Sequence, residues 1–229
     1  TCSPEMLWKF ALPISLATVG EHGLWYRLRA VEKPDSAGQF AAAEFGGFVV
    51  GSDIDYLTLH ARTRPSRVGQ KKRAEDESFV ANFEQYGLVA NYLGVLTSDF
   101  SLSPWVQDRP WLDAVVTDPP YGIRERTTKV GTVKDYSENP IPDEFLDCHY
   151  PQKVSYSLEH LLTDLLNFSA RSLVTGGRLV YWLPVIRQGY TEDSVPSHPA
   201  LELITDCEQV LTLTYSGYFL TQLFLSRCS

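Results

Sequence analysis

The sequence predicts an α/β fold, built on a doubly wound, mostly parallel sheet with an antiparallel pair of strands at its C-terminal edge. From residue 41 onward, short apolar segments rich in β-branched residues alternate with segments of helical composition. Several of the apolar segments end in aspartate, and the last two follow each other with no helix between them. A chain of 229 residues is long enough for one such domain, with a core that needs no disulfide or metal.

The first half of the predicted domain contains a strand, two helices and two further strands, in that order. Strands are predicted at Phe48–Asp53, Leu93–Leu96 and Ala114–Thr117, where apolar and β-branched residues run without interruption. A helix is predicted at Tyr56–Arg64 from its composition. Another is predicted at Glu75–Tyr86, where aromatic residues recur at helical spacing and a glycine follows.

The second half begins with a polar loop predicted at Thr127–Pro151. A helix is predicted at Ser157–Leu173, because its leucines recur at spacings of three and four, and the glycines at 176 and 177 end it. A strand is expected at Arg178–Leu183, where the proline at 184 ends it. The last strands are expected at Leu201–Leu211 and Phe219–Leu225, which gives the antiparallel pair.

Residues 1–40 stay unassigned, whereas residues 41–229 form the predicted domain. The first forty residues show no periodic pattern, and Val31-Glu32 forms at best an incomplete first strand before Pro34. The chain begins with Thr1 and not with methionine, so a fragment is one expectation.

Composition excludes several classes of protein. A hydrophobic fraction of 44% and a charged fraction of 21% exclude a disordered, collagen-like or coiled-coil chain. The longest apolar run is too short for a membrane helix. The 4 cysteines form no Cys-x-x-Cys pair, which argues against a zinc site and a secreted disulfide framework and favours the cytoplasm. The histidines share no ligand spacing, so no metal is expected.

Acidic side chains follow consecutive predicted strands. Asp53 ends one strand and Asp55 comes just after it, Asp99 follows the next strand, and Asp118 follows a third. In an open parallel sheet, ligands bind outside the carboxyl ends of the strands, where such acids can accept hydrogen bonds from ribose hydroxyls or an adenine amino group. Taken singly, each aspartate also suits a turn or a helix N-cap. As a set, they favour a nucleotide-like ligand.

The string Asp118-Pro119-Pro120-Tyr121 carries the sharpest chemical signal. Consecutive prolines donate no backbone hydrogen bonds and hold the chain extended, which makes a rigid rim of acceptors. The Asp118 carboxylate and the Pro119 carbonyl can accept both hydrogens of an exocyclic NH₂ group. Tyr121 offers a face on which an extruded base can stack. A Pro-Pro turn beside a buried tyrosine is the alternative.

A basic stretch points to a local phosphate-binding patch on an otherwise acidic chain. The formal net charge of −8 means that the surface as a whole does not attract nucleic acid. Solvated charges on a polar connector are an equally good interpretation of this stretch, but its position after the second strand favours RNA. The candidate residues are Arg62, Arg64, Arg67, Lys71, Lys72 and Arg73, with Arg124 and Arg126 just beyond the acceptor string.

The motifs together resemble the tRNA (guanine-10) N2-methyltransferase family, within the Rossmann-like amino-methyltransferases that use S-adenosylmethionine. The resemblance rests on the segments 117–125, Gly51–Asp55, Ala81–Leu88 and Tyr181–Pro184, and it runs from about residue 41 to residue 209. It implies methyl transfer from S-adenosylmethionine to the N2 amine of a guanine in tRNA. Asp53 would then hold the cofactor ribose, Asp99 would lie by its adenine, and Asp118 to Tyr121 would take the guanine amino group.

The family pattern also has a glycine-rich turn before the helix that would begin near Ala41, and here Lys33–Phe40 stands in its place. An inactive, methyltransferase-like binding module is therefore one alternative. Methylation of adenine or of a protein glutamine is another, because each presents an NH₂ group to the same rim.

The resemblance implies two partners, which are tRNA and a small zinc-binding activator subunit. No membrane association is expected. The apolar closing segment Tyr215–Leu225 would leave an exposed edge for the activator if it does not complete the sheet. The alternative is that Phe219–Leu225 is the final buried strand.

Overall fold

A sheet of seven strands organises the chain in the computed structural model. The structure describes residues 16–19, 42–59, 78–106, 108–120, 127–131, 152–186, 190–191, 194–209 and 218–228. The strands are β1 (Leu16–Val19), β2 (Val49–Asp53), β3 (Tyr92–Thr97), β4 (Leu112–Thr117), β5 (Thr128–Val130), β6 (Lys153–Ser155), β7 (Leu173–Ile186), β8 (Leu201–Gln209) and β9 (Tyr218–Arg227). The helices are α1 (Tyr56–Leu59), α2 (Phe79–Gln85) and α3 (Leu158–Ser172), with 3-10 turns at Val89–Asn91 and Phe100–Leu102.

The strand order is β3-β2-β1-β4-β7-β9-β8, with β5 and β6 forming a separate ribbon. Neighbours from β3 to β7 pair in parallel, whereas β9 pairs antiparallel with both β7 and β8. The predicted fold class is confirmed. The antiparallel pair differs from the expected one in that β9 lies inside the sheet, between β7 and β8.

The first strand lies in the segment that the sequence left unassigned. β1 pairs with β2 on one side and β4 on the other, so it occupies the centre of the parallel part. Both Val31-Glu32 and the segment 33–40 lie outside the described residues. The residues next to β1 in the sequence are Gly20 and Gly23 with two polar residues between them, and these also lie outside the described part.

Helix α3 matches its prediction at the N-terminus and ends slightly earlier. The Ser157 side chain caps it by accepting from the backbone N–H of His160 at 3.2 Å, and the leucine stripe is buried as expected. Strand β7 starts directly after Ser172, so the two glycines do not end the helix. Instead, Gly176 has φ of 79° and lies where the pairing register with β4 shifts.

Pro184 does not end β7, contrary to expectation. β7 pairs with β4 only as far as Tyr181, whereas its pairing with β9 continues to Ile186. One side of β7 therefore carries no ladder at Pro184, where a missing N–H is tolerated. The loop predicted at Thr127–Pro151 is also wrong at its start, because β5 pairs with the distant β6, which local periodicity cannot reveal.

Both short helices are present, but the helix predicted at Glu75–Tyr86 is confirmed only over Phe79–Gln85, because Ser78 is extended and lies before it. α2 begins after Ser78, whose hydroxyl accepts from Ala81 N–H at 3.1 Å, and the chain leaves it through Gly87 at φ 71°. α1 is described over Tyr56–Leu59, and the rest of the predicted range lies outside the described residues.

Buried side chains lie on both faces of the sheet. Val115 of β4 belongs to the apolar cluster that contains α3, β7 and β9, while its neighbour Ala114 belongs to the cluster around Phe83 of α2. Because successive side chains of a strand point to opposite faces, the sheet is covered on both sides. This is the doubly wound arrangement that the sequence predicts.

None of the described helices is long and apolar enough to cross a membrane. Cys207 is disulfide-bonded, which the scattered cysteines did not predict, whereas Cys228 is free and exposed. The cysteine pattern therefore does not decide the redox compartment, and a cytoplasmic location stays a prediction.

Candidate functional site

The acidic residues predicted to bind a ligand come together at one edge of the sheet. Val19 of β1 pairs with Ser52 and with Thr117, and Asp53 pairs with Thr97, so the carboxyl ends of four parallel strands are level. Asp53 and Thr117 belong to strands two positions apart, which corresponds to about 10 Å. The carboxyl end of β1 lies between them, at the point where the chain order of the strands reverses. Ligands bind at such points in open α/β sheets.

Asp53 and Asp55 form the turn between β2 and α1. Asp53 is 2% exposed, and its Oδ1 accepts from the Asp55 N–H at 2.6 Å. Asp55 in turn accepts from the Leu57 N–H at 3.0 Å, as a helix cap does. The turn and cap roles are thus both realised. They leave room for a ligand role, since a carboxylate accepts about four hydrogen bonds.

Asp99 is held by backbone donors from two separate segments. Its Oδ1 accepts from the Ser101 N–H at 2.8 Å, which caps the 3-10 turn, and its Oδ2 accepts from the Val130 N–H at 2.5 Å. The residue is 8% exposed. Asp99 therefore stands beside Asp53 with a fixed side-chain direction. The link to Val130 has no signal in the sequence, because 31 residues separate the two positions.

The acceptor string begins directly beyond β4. Asp118 is half-buried, and Pro119 and Pro120 are buried. No cis peptide bond occurs in the described residues, so both prolines continue the chain in the trans form. Tyr121 lies outside the described residues. The structure therefore places the carboxylate and the first prolines of the predicted rim at the same sheet edge as Asp53 and Asp99.

Sequence reasoning missed an aromatic contact to this edge. The Trp105 indole N–H lies 3.4 Å from the Ser52 hydroxyl, one residue before Asp53, and the Trp105 and Trp111 rings are 5.9 Å apart. The segment between β3 and β4 thus reaches back to the end of β2. The tryptophans and prolines of this segment are visible in the sequence and could have marked it as a packed loop. Nothing in the local sequence indicated that Trp105 contacts Ser52.

A buried tyrosine was missed as well. Tyr156 is 3% exposed, and its hydroxyl donates a short hydrogen bond to the Asp164 carboxylate of α3. Burial is the larger cause, and the hydrogen bond that the hydroxyl donates to Asp164 is the next; together they raise the pKa of Tyr156 well above its usual range, so the hydroxyl remains a donor. Lys129 Nζ lies 5.2 Å from the centre of the Tyr156 ring.

The predicted RNA-binding residues all lie outside the described residues. These are Arg62, Arg64, Arg67, Lys71, Lys72, Arg73, Arg124 and Arg126. In the part of the chain that the structure describes, no group of three or more His, Cys, Asp or Glu residues could hold a metal ion.

Curated relatives match most of the chain. The tRNA (guanine(10)-N(2))-methyltransferase of Xenopus laevis is 46% identical over 181 residues, which cover 79% of this chain and 37% of that protein. Its Bos taurus counterpart is 49% identical over 184 residues, which cover 79% and 39%. The Homo sapiens protein is 47% identical over 182 residues, with the same coverage of 79% and 39%. The chain thus spans about two fifths of the length of these relatives. No family model matches.

Solved structures agree on the fold. A presumed methylase from Haemophilus influenzae superposes with a TM-score of 0.51 at 10% identity, covering 98% of this chain and 93% of that one. A presumed methyltransferase from Escherichia coli gives a TM-score of 0.51 at 12% identity, covering 98% and 85%. The chain accordingly shares its Rossmann-like fold with these two structures. By its sequence, the chain belongs to the family of the tRNA (guanine(10)-N(2))-methyltransferases.

Proposed function

We propose that this chain transfers a methyl group from S-adenosylmethionine to the exocyclic N2 amine of a guanine in tRNA. The observation that carries the proposal is the position of Asp118-Pro119-Pro120, directly beyond β4 and beside the central strand β1, in a chain of this family. The relatives are named as methyltransferases of guanine 10 in tRNA, and we propose the same guanine as the methyl acceptor of this chain.

The acidic residues at the sheet edge suit the cofactor in type. Asp53 offers a buried carboxylate for ribose hydroxyls, and Asp99 offers one for an adenine amino group. Asp99 has two acceptor positions left after Ser101 and Val130 are counted, since a carboxylate accepts about four hydrogen bonds. Asp55, which caps α1, donates its backbone N–H to the Asp53 carboxylate and so helps to orient it. When bound, the cofactor would supply a methyl group that its sulfonium makes electrophilic.

The acceptor rim would prepare the amine. The Asp118 carboxylate and the Pro119 carbonyl each accept one hydrogen of the NH₂ group, which directs the nitrogen lone pair away from the rim. The carboxylate would also stabilise the positive charge that grows on nitrogen while the N–C bond forms and the bond between the methyl group and sulfur breaks, and it would accept the proton that the methylated amine then loses. Pro120 keeps the rim rigid, and Tyr121 would stack on the base. The basic residues 62–73, 124 and 126 would hold the RNA backbone.

Two alternatives compete with this proposal. Cofactor binding distinguishes the inactive module, and the identity of the methyl acceptor distinguishes methylation of adenine or of a protein glutamine. The inactive-module hypothesis depends on a missing glycine turn at 33–40, but the first strand is β1, and Gly20 and Gly23 follow it in the sequence. That observation favours a chain that binds the cofactor. Methylation of adenine or of a protein glutamine remains chemically equivalent at the rim.

A two-step experiment tests the proposed function. Calorimetric titration of the chain with S-adenosylmethionine comes first, and binding in the micromolar range is expected. Incubation with methyl-labelled cofactor and tRNA, DNA or peptide pools follows, and label is expected in tRNA alone. Label in protein or DNA alone, or no binding of the cofactor, would reject the proposal.

The small zinc-binding activator remains part of the proposal, but its expected surface changes. The closing strand β9 lies inside the sheet, and Leu223 and Leu225 are buried, so the exposed-edge interpretation of the closing segment is wrong over residues 218–227. Strand β3 is the edge that supports a partner instead, because Leu93 is 62% exposed and Leu96 is 41% exposed. Leu93→Lys should abolish co-purification with the activator, and unchanged co-purification would move the partner elsewhere.

A further inference from the structure

The carboxylate of Asp99 depends on two donors that belong to different parts of the chain. Ser101 N–H comes from the 3-10 turn that Asp99 itself caps, so this donor is local. Val130 N–H comes from β5, across 31 residues of sequence. The hydrogen bond to the second oxygen therefore depends on where the β5–β6 ribbon lies, whereas the bond to the first oxygen depends on the turn that follows β3.

The ribbon is short and needs an anchor. Its strands pair over three residues each, and the pairing is extended by Gly131 N–H to Gln152 at 2.9 Å and Tyr156 N–H to Thr127 at 2.9 Å. An isolated two-stranded ribbon is marginally stable in water. Tyr156 supplies the anchor, because its side chain is buried and its hydroxyl donates to Asp164 of α3.

One face of α3 contacts both of the segments whose N–H groups donate to the Asp99 carboxylate. Asp164 and Phe168 are four residues apart, so they lie on the same helix face. Asp164 accepts from Tyr156 and holds the ribbon, while Phe168 meets Phe100 edge-on with ring centres 5.5 Å apart. Phe100 adjoins Asp99 at the start of the 3-10 turn. Helix α3 itself is fixed by its buried leucines on the sheet.

We propose that Tyr156 and Asp164 are positioning residues for the cofactor: they hold the β5–β6 ribbon so that the Val130 N–H orients the Asp99 carboxylate. This inference rests on the proposed function. Neither residue lies among the strand-end acids, and their effect reaches the ligand through Val130 and Asp99. Since β5 follows the acceptor string within a few residues, the same ribbon ties the cofactor acid to the segment that carries the amine rim.

The test compares two tyrosines of the same chemistry. Tyr156→Phe removes the hydroxyl that donates to Asp164, and Tyr190→Phe removes a hydroxyl that donates to Asp206 of β8 at 2.6 Å, at the opposite end of the sheet. Both variants are expected to lower the melting temperature by a few degrees. Only Tyr156→Phe should raise the dissociation constant of S-adenosylhomocysteine, by about tenfold. It should also raise KM for the cofactor and leave kcat at saturation nearly unchanged.

Amide hydrogen exchange gives a readout that needs no ligand. In Tyr156→Phe the Val130 amide should exchange at least tenfold faster than in the wild-type chain, while in Tyr190→Phe it should not change. Asp164→Asn keeps a side-chain oxygen for the tyrosine hydroxyl and should retain slow exchange and cofactor affinity. Asp164→Ala should resemble Tyr156→Phe.

The outcomes distinguish failure of the proposed function from failure of the positioning role. If the wild-type chain binds no cofactor but Tyr156→Phe speeds Val130 exchange, the proposed function fails and the anchoring of the ribbon stands. If the wild-type chain binds and Tyr156→Phe binds equally tightly, the positioning role is wrong. Equal loss of affinity in Tyr156→Phe and Tyr190→Phe would also overturn it, because the effect would then be one of general stability.

Discussion

The backbone N–H of Ser98 donates to the carbonyl oxygen of Asp53 across 2.8 Å. This bond extends the pairing of β2 and β3 beyond Thr97, and it brings the two strand-end acids Asp53 and Asp99 to neighbouring positions. Asp118 lies on the far side of β1 from them. Because these acids lie on two sides of β1, we expect Asp53 and Asp99 to act in cofactor binding and Asp118 to act in methyl transfer.

Asp118→Ala should abolish methyl transfer and leave cofactor binding nearly intact. Asp118 faces the amine in the proposed mechanism, so its loss removes charge stabilisation that develops only during transfer. A fall in kcat of about 10²- to 10³-fold is expected, with an unchanged dissociation constant by calorimetry. Asp108→Ala, at an exposed aspartate between β3 and β4, is the matched control and should change neither quantity.

Asp53→Ala should do the reverse and weaken cofactor binding. The loss of charge-assisted hydrogen bonds to ribose hydroxyls should cost about 1 to 3 kcal/mol of binding free energy. Because Asp53 also accepts from the Asp55 N–H, Asp53→Asn serves as a second variant that keeps one acceptor oxygen. Thermal denaturation checks that both variants fold. Equal effects of the Asp53 and Asp118 variants on binding and turnover would contradict the assignment of roles.

Leu223→Ala tests the interior position of β9. Leu223 is fully buried between strands that pair on both sides, so the truncation should lower the free energy of unfolding by about 2 to 5 kcal/mol. Leu93→Ala, on the exposed edge strand β3, should change it by less than about 0.5 kcal/mol. Urea denaturation measures both. A small loss for Leu223→Ala would mean that the closing segment does not form the sheet interior.

Gly131→Ala tests the packing of the ribbon. A Cβ atom at this position would lie 2.8 Å from Cγ2 of Val154, a β-branched side chain with little rotamer freedom. The substitution should destabilise the chain by about 1 to 3 kcal/mol. The double variant Gly131→Ala with Val154→Ala removes the clashing methyl and should recover most of that loss. If the single variant melts at the wild-type temperature, β5 and β6 are not paired as described.

Alkaline pH should destabilise the fold through tyrosines that are wholly or half buried, of which Tyr92 is half-buried. Burial raises the pKa of Tyr92 from 10.0 to about 12, so the folded chain holds this proton more tightly than the unfolded chain. The corresponding stability is complete below pH 10 and is lost as the pH rises toward 12. Tyr92→Phe should flatten this part of the stability profile, measured by urea denaturation at a series of pH values. Titration of tyrosinate absorbance should show a late phase whose amplitude is smaller in the variant, because Tyr156 and Tyr181 also titrate late.

Local pattern was sufficient for much of the fold. The alternation of strands and helices, the leucine stripe of α3 and the aspartates at the ends of β2, β3 and β4 are properties of short segments, and the fold class follows from them. The family was indicated by a resemblance, which rests on the segments 117–125, Gly51–Asp55, Ala81–Leu88 and Tyr181–Pro184. The acids come together at one edge because parallel strands end at the same side of a sheet, a rule that needs no coordinates.

What only the tertiary structure decided depends on contacts between distant segments. β1 is four residues long and has no pattern of its own, and it becomes a strand because β2 and β4 bind it on both sides. Pro184 stays inside β7 because β4 has already ended. The Val130 amide reaches Asp99 because Tyr156 anchors the ribbon on α3. Hydrogen bonds between residues far apart in the chain leave no periodic trace in a single sequence, so folding alone brings such partners together.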